Sequence, residues 1–495
     1  MNSRTEKKYV FMILILSSIL LYETDYMIKR CSHDTCKMDN QMESVFAKSV
    51  HIDAPVQILD SRKKIELLNI KKTLFSGKRF REVPLNREFE NEIYFVNDNK
   101  KNCTNWAVVT TIFKPSESVR YIADNPKWCL VVVADIQTQS KESYMSELGY
   151  IGDKVVFLEP TDHDRLYPAI SKALPWKHFG RKNIGYIYAI HHGGEYIWDF
   201  DDDNVGLIDS KMLTTKTNFS YLIPCSGFSK SLMNPYPYFG VNETYSWPRG
   251  FPLEEIRNPH VSPELCQSNA SMTIGVIQSL ANKQPDVDAI YRFTRNNPFD
   301  FKATLKNHQP LMIPKGVYTP FNAQATLWAK PAFLYLPLPI SVDGRVTDIW
   351  RSYFAEYFFH RDNIKLIFTP PYVRQDRNPH NILNDLDAEN DLYMRSNVLI
   401  NLLSELHNAE HSLNLRHLYE ELYKRGYIEL DDLIFVRAWV KTVEAIFKET
   451  KATAYNNIHV LTRVLFLCIF FQCSLGFLIN HSSIRHCTHY SVHHE

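Results

Sequence analysis

At 495 residues the chain is long enough for two or three domains. A formal net charge of +1 gives no overall electrostatic case for a nucleic-acid partner, and 45% hydrophobic residues fit a globular protein with a large core. Nine cysteines are scattered without metal-ligand spacing in the body of the chain.

The N-terminus sets Arg4, Lys7 and Lys8 before an uncharged stretch, 9–22. Basic residues followed by a short apolar run read as a signal-anchor or a cleaved signal peptide. No small-x-small cleavage site follows, so residues 1–26 are read as a cytosolic tail and anchor, with the bulk of the chain lumenal. The expected setting is the Golgi or endoplasmic reticulum membrane in single-pass type II orientation, or secretion if the segment is cleaved. Residues 27–101 are polar and weakly periodic, as in a stem between membrane and domain. In a lumenal setting Cys31/Cys36, Cys103/Cys129 and Cys225/Cys266 can pair, although spacing alone does not choose a connectivity. Glycosylation sequons stand at Asn102, Asn218, Asn242, Asn269 and Asn480.

From residue 102 to 380 the pattern is that of an α/β nucleotide-binding domain. Apolar strands are predicted over 106–112, 128–135 and 154–159, spaced by helix-length segments. Near-continuous apolar strands point to a mostly parallel sheet buried by helices on both faces. Asp135, ending the second strand, can accept from the ribose or base of a nucleotide, or serve as a polar turn residue. Arg181, Lys182 and Asn183 open a helix over 184–191, where two cations and a helix N-terminus suit phosphate oxygens. The next strand ends in Tyr196-Ile197-Trp198-Asp199-Phe200-Asp201-Asp202-Asp203-Asn204. Carboxylates there lie where open α/β sheets bind ligands. Three consecutive acids repel one another unless a cation offsets them, so a divalent metal held by oxygens, with substrate phosphates completing its shell, is expected.

These residues resemble the STELLO-like glycosyltransferase family. The resemblance is carried by Trp106-Ala107-Val108-Val109-Thr110-Thr111, Trp128-Cys129-Leu130-Val131-Val132-Val133, His178-Phe179-Gly180-Arg181-Lys182-Asn183 and the acidic strand end. It continues through Pro320-Phe321-Asn322-Ala323-Gln324-Ala325-Thr326-Leu327, Gly344-Arg345-Val346-Thr347-Asp348-Ile349-Trp350-Arg351 and Gln375-Asp376-Arg377-Asn378-Pro379-His380-Asn381. It implies a GT-A-like (Rossmann-like) domain in which an Asp-x-Asp motif binds Mn²⁺ or Mg²⁺ and the diphosphate of a nucleotide sugar. Asp201 and Asp203 map to that motif, and Asp199 with Asp201 fits it equally in form. Thr110, Thr111 and Asp135 would line the nucleotide pocket, with Arg181, Lys182 and Asn183 near the ribose or diphosphate. The expected partners are a nucleotide-sugar donor and a glycan, lipid or protein acceptor.

A transfer that inverts the sugar needs a carboxylate base. Asp348 is the candidate, and it is also a candidate N-cap for a helix over 349–359. Trp350 is a candidate sugar-stacking residue, and His380 a candidate extra metal ligand. Residues 381–455 read as packing helices. Residues 456–495 hold an apolar run, 464–479, and a His-rich tail of open status.

Overall fold

The computed structural model describes residues 81–83, 93–98, 101 and 103–450, except 150–151, 208–218, 241–245, 271–272, 296–298, 305–307, 378–380 and 409–412. The anchor expected over 1–26, nearly all of the stem, His380 and the tail beyond 450 lie outside the described residues. Among the described residues no helix is long and apolar enough to cross a membrane.

The N-terminal half builds four parallel strands: β1 (Asn105–Thr111), β2 (Cys129–Ala134), β3 (Val155–Leu158) and β4 (Tyr196–Phe200), in the order β3-β2-β1-β4. Helices α1 (Glu117–Ala123), α2 (Lys141–Leu148), α3 (Pro160–Leu166), α4 (Pro168–Ala173) and α5 (Lys182–His191) connect them. The helix-length spacers expected between the first three strands are filled by α1 and α2, each started by a serine whose side chain accepts from a first-turn N–H.

Side-chain alternation along a strand sends successive residues to opposite faces. Ala107, Val109, Leu130 and Val132 join a core with Val119 and Ile122 of α1 and Tyr144 and Leu148 of α2. Val108 and Val133 face the other way, onto Gly185 of α5. That packing is tight enough that a Cβ on Gly185 would stand 2.4 Å from a Val108 methyl and 2.7 Å from a Val133 methyl. Every residue of α5 is buried, including Lys182 and Asn183.

Beyond β4 the sheet becomes mixed. Its strands are β5 (Asn204–Gly206), β6 (Phe219–Pro224), β7 (Leu265–Ala270), β8 (Ile274–Asn282), β9 (Leu311–Met312), β10 (Ala325–Ala329) and β11 (Lys365–Gln375). β10 lies antiparallel between β4 and β8, β11 runs parallel to β8, and the order continues through β9 and β6 to β7 at the edge. Helix α6 (Ala289–Thr294) precedes the long α7 (Gly344–Asp362). Then come α8 (Ile382–Ala388), α9 (Asn390–Asn408) and α10 (Leu415–Lys424), within the stretch 381–455 that reads as packing helices in the sequence. The described residues up to Val440 form one compact unit, and residues 441–450, helical, belong to a second.

Two predicted cysteine pairs are present as disulfides, Cys103–Cys129 and Cys225–Cys266. The first ties the residue two before β1 to the start of β2. The second ties the end of β6 to β7.

Gly185→Ala is expected to lower unfolding stability by about 1–3 kcal/mol, because the added methyl overpacks the α5–sheet contact. Urea denaturation against the parent chain checks it.

Candidate functional site

The site is built where β4 runs out. Asp199, the last acid within the strand, is fully buried between two cations. Lys182 Nζ lies 2.7 Å from one carboxylate oxygen, and Arg351 Nη1, from α7, donates to the other at 2.9 Å. Arg351 also donates to the Asn322 carbonyl at 3.2 Å, and its guanidinium sits over the Trp328 ring. A buried charge is tolerable only when paired and hydrogen-bonded, and Asp199 is paired with two cations and accepts a hydrogen bond from Arg351. Asp199 belongs to the core, whereas Asp201, Asp202 and Asp203 follow the strand end.

Lys182 is the hinge between the two settings. Its ammonium lies 3.0 Å from Asp201 Oδ1 and donates to the Ala323 carbonyl at 2.9 Å. Burial alone would lower the pKa of this ammonium, but the charges of Asp199 and Asp201 outweigh it and hold the group above its ordinary value. Asp201 keeps 34% of its side chain exposed. Burial pushes its carboxyl up to about 7; Lys182 opposes that shift, while Asp203 and Asp199 add to it. Asp202 turns towards β1 and accepts from Thr111 Oγ1 at 2.5 Å, which pins the loop. Asp203 accepts from Asn204 Nδ2 at 2.7 Å and from Gln375 Nε2 at 3.2 Å, and its carbonyl accepts from the Asp376 N–H.

The other predicted site residues divide sharply. Thr111 reaches the acidic loop, whereas the Thr110 hydroxyl donates to the Val133 carbonyl within the sheet. Asp135 is buried, and its carboxylate accepts from the backbone N–H groups of Ile136, Lys177 and His178. It therefore fixes the loop that leads into α5. Arg181 points away from the acids. Its guanidinium donates to the Pro175 and Leu174 carbonyls and to Ser171, and lies flat on Trp176, 3.3 Å from the ring centre. Asn183 exchanges two hydrogen bonds with the backbone of Leu338. Of Arg181, Lys182 and Asn183 at the start of α5, only Lys182 meets the acids.

Asp348 is held differently from either expectation. Helix α7 begins five residues upstream of Ile349, capped by Asp343, whose side chain accepts from the Arg345 N–H. Asp348 lies inside the helix, buried, in a two-pronged pair with Arg249 at 3.0 and 2.8 Å, and also accepts from the Ala323 N–H at 3.2 Å. Arg249 makes a second such pair with Asp286 at 2.8 and 3.0 Å. Both carboxylate oxygens of Asp348 are thus engaged by one guanidinium. Trp350 is fully buried against Tyr427 and Phe354, so it offers no face to a sugar.

Arg249, Asp286, Asn322, Gln324, Gln375, Asn204 and Arg351 carry no signal of their own in the sequence. Most of them stand inside the motifs of the family resemblance, but only three-dimensional pairing reveals their roles. For Arg249 the nearest hint is its neighbour Gly250, whose φ of 81° marks a special turn.

The donor set suits a hard divalent cation only in part. Asp201 and Asp203 offer carboxylate oxygens, and the buried Asn204 Oδ1 beside them has no hydrogen-bond donor. Among the described residues no three His, Cys, Asp or Glu side chains gather to hold a metal. A cation here would thus need oxygens from its ligand, as divalent ions at phosphate sites commonly do.

Asp348→Asn is expected to cost about 3–5 kcal/mol of unfolding free energy, as when one member of a buried pair is removed. Guanidinium titration reads this directly, and unchanged stability would return Asp348 to the list of free carboxylates.

The STELLO glycosyltransferases family model matches residues 345–457. Two Arabidopsis thaliana proteins are similar over most of this chain. "Probable glycosyltransferase STELLO1" is 27% identical over 369 residues, 69% of this chain. "Probable glycosyltransferase STELLO2" is 26% identical over 353 residues, 68% of this chain. The chain spans 44% of the length of each. Among solved structures, the mannosyltransferase PcManGT from Pyrobaculum calidifontis, in complex with GDP-Man and Mn²⁺, aligns over 77% of this chain and 93% of its own. Its TM-score of 0.27 and 10% identity are too low to carry an argument. The family match, which begins inside α7, and the two plant relatives show that this chain is similar to the STELLO glycosyltransferases.

Proposed function

We propose that this chain transfers a sugar from a nucleotide-sugar donor, with a divalent cation at Asp201 and Asp203. The observation that carries the reading is the split of the acidic run. Asp199 is neutralised in the core, while Asp201 and Asp203 stand past the carboxyl end of β4 with a buried ammonium behind them. The "glycosyltransferase" in the names of both plant relatives supports it.

Breaking the bond between sugar and diphosphate leaves negative charge on the leaving nucleotide. Bound Mn²⁺ or Mg²⁺ would supply Lewis-acid stabilisation of that charge. The chain's own groups prepare the place. Lys182 fixes Asp201, Asn204 and Gln375 orient Asp203, and Thr111 holds the loop through Asp202. Half-exposed Ile112, Phe113 and Ile136 follow β1 and β2 on the same side of the sheet and offer apolar surface to a nucleobase. Two disulfides support an oxidising compartment, consistent with a membrane-anchored lumenal enzyme of the Golgi or endoplasmic reticulum.

A second reading is a non-catalytic, glycosyltransferase-like protein acting as a binding or trafficking partner. It is favoured by the pairing of Asp348, the candidate base, with Arg249. The two readings part at turnover. The test is calorimetric titration of the chain with UDP- and GDP-sugars, with Mn²⁺ present and after chelation, followed by assay for released nucleoside diphosphate. Binding is expected to need Mn²⁺ and to fall at least tenfold in Asp201→Asn and Asp203→Asn. Metal-independent binding unchanged in both variants would sink the assignment, and binding without turnover for any acceptor would favour the second reading.

A further inference from the structure

We propose that Asn269 carries an N-linked glycan that covers the free edge of the sheet. The proposal rests on the lumenal reading of the chain. β7 is the terminal strand of the sheet, and among the described residues it pairs with β6 alone. The outer side of such a strand presents unpaired N–H and C=O groups, a template for pairing with another chain unless something blunts it. Among the described residues β7 carries none of the sequence devices that blunt an edge. Its residues Cys266, Gln267 and Asn269 are exposed, and its sequence, Leu-Cys-Gln-Ser-Asn-Ala, has no charge and no proline.

Asn269 opens the sequon Asn269-Ala270-Ser271. It is exposed, so its amide is available to an enzyme that modifies such sequons. The Cys225–Cys266 bridge, three residues earlier on the same strand, is of the kind formed in the compartment where such glycans are added. In the transfer, the C1–O bond of a polyprenyl-diphosphate-linked oligosaccharide breaks and a C1–N bond forms to Asn269 Nδ2. One amide proton leaves, with polyprenyl diphosphate as the leaving group.

The position also spares the donor site. β9 bridges β6 to β11 at Ile367 and Phe368, whereas the acidic loop meets β11 at Gln375. Ile367 and Arg374 lie opposite Ile277 and Asn282 of β8, five residues apart, so at roughly 3.3 Å per residue the β9 contact and the acidic end of β11 are about 17 Å apart.

The test expresses the full chain in a eukaryotic secretory host and treats it with peptide N-glycosidase in heavy-oxygen water. The peptide containing position 269 is expected to acquire the heavy-oxygen label, and the label is expected to vanish in Asn269→Gln and in Ser271→Ala but persist in Ser271→Thr. Metal-dependent donor binding is expected to stay the same in Asn269→Gln, and enzymatic removal of the glycan is expected to raise self-association in light scattering. An unlabelled 269 peptide in a chain labelled at Asn218 or Asn242 overturns this proposal alone. No labelled sequon, with the four disulfide cysteines alkylated as free thiols, overturns the lumenal reading and this proposal together. A deglycosylated chain that stays monodisperse overturns the edge-covering role.

Discussion

The buried ion group Lys182–Asp199–Arg351 is the constraint on which the site depends. Placing three charged side chains in a sheet interior is costly, and removing any one would leave an uncompensated charge. The geometry explains why the arrangement persists. Lys182 enters from α5 on one side of β4, and Arg351 from α7. Asp199 thus pins two helices from opposite halves of the chain to the same strand end. The loop 201–203, next along the chain, inherits a fixed point of departure.

The second network, Asp286–Arg249–Asp348, does similar work for the segment after β8. Burial alone would raise Asp286, but Arg249 holds it below the usual carboxylate range. Asn322 joins in by donating to Asp286 and Gln324, and its own N–H is bound by Gln278. Gln278 in turn accepts from Thr326 at the start of β10. The antiparallel β10 is therefore held by side-chain amides as well as by its ladder. This accounts for a polar residue in a strand that is buried throughout.

The parallel half of the fold was readable because its signal is local. Runs such as Cys129 to Ala134 are apolar at every position, which only a strand covered on both faces requires. The mixed half was not, since β10 and β9 are short and their pairing is set by residues far along the chain. The acidic motif was legible as chemistry but not in register, because Asp199 and Asp201 differ in partners rather than in type. Arg181 and Asn183 misled for the same reason. A helix start rich in donors suits phosphate, yet nearby backbone carbonyls of Leu174, Pro175 and Leu338 claimed them first. Asp348 looked like a free carboxylate because its countercharge, Arg249, lies 99 positions away.

The two networks meet at one peptide unit. The Asn322–Ala323 peptide gives its N–H to Asp348 and receives Arg351 at its carbonyl. That peptide thus has an anion at its hydrogen end and a cation at its oxygen end, so each group polarises the other across it. The wall of the site and its floor are therefore electrically one object. The energetic effect of changing a charge in one network will depend on the state of the other, and the two sets of substitutions will fail to add.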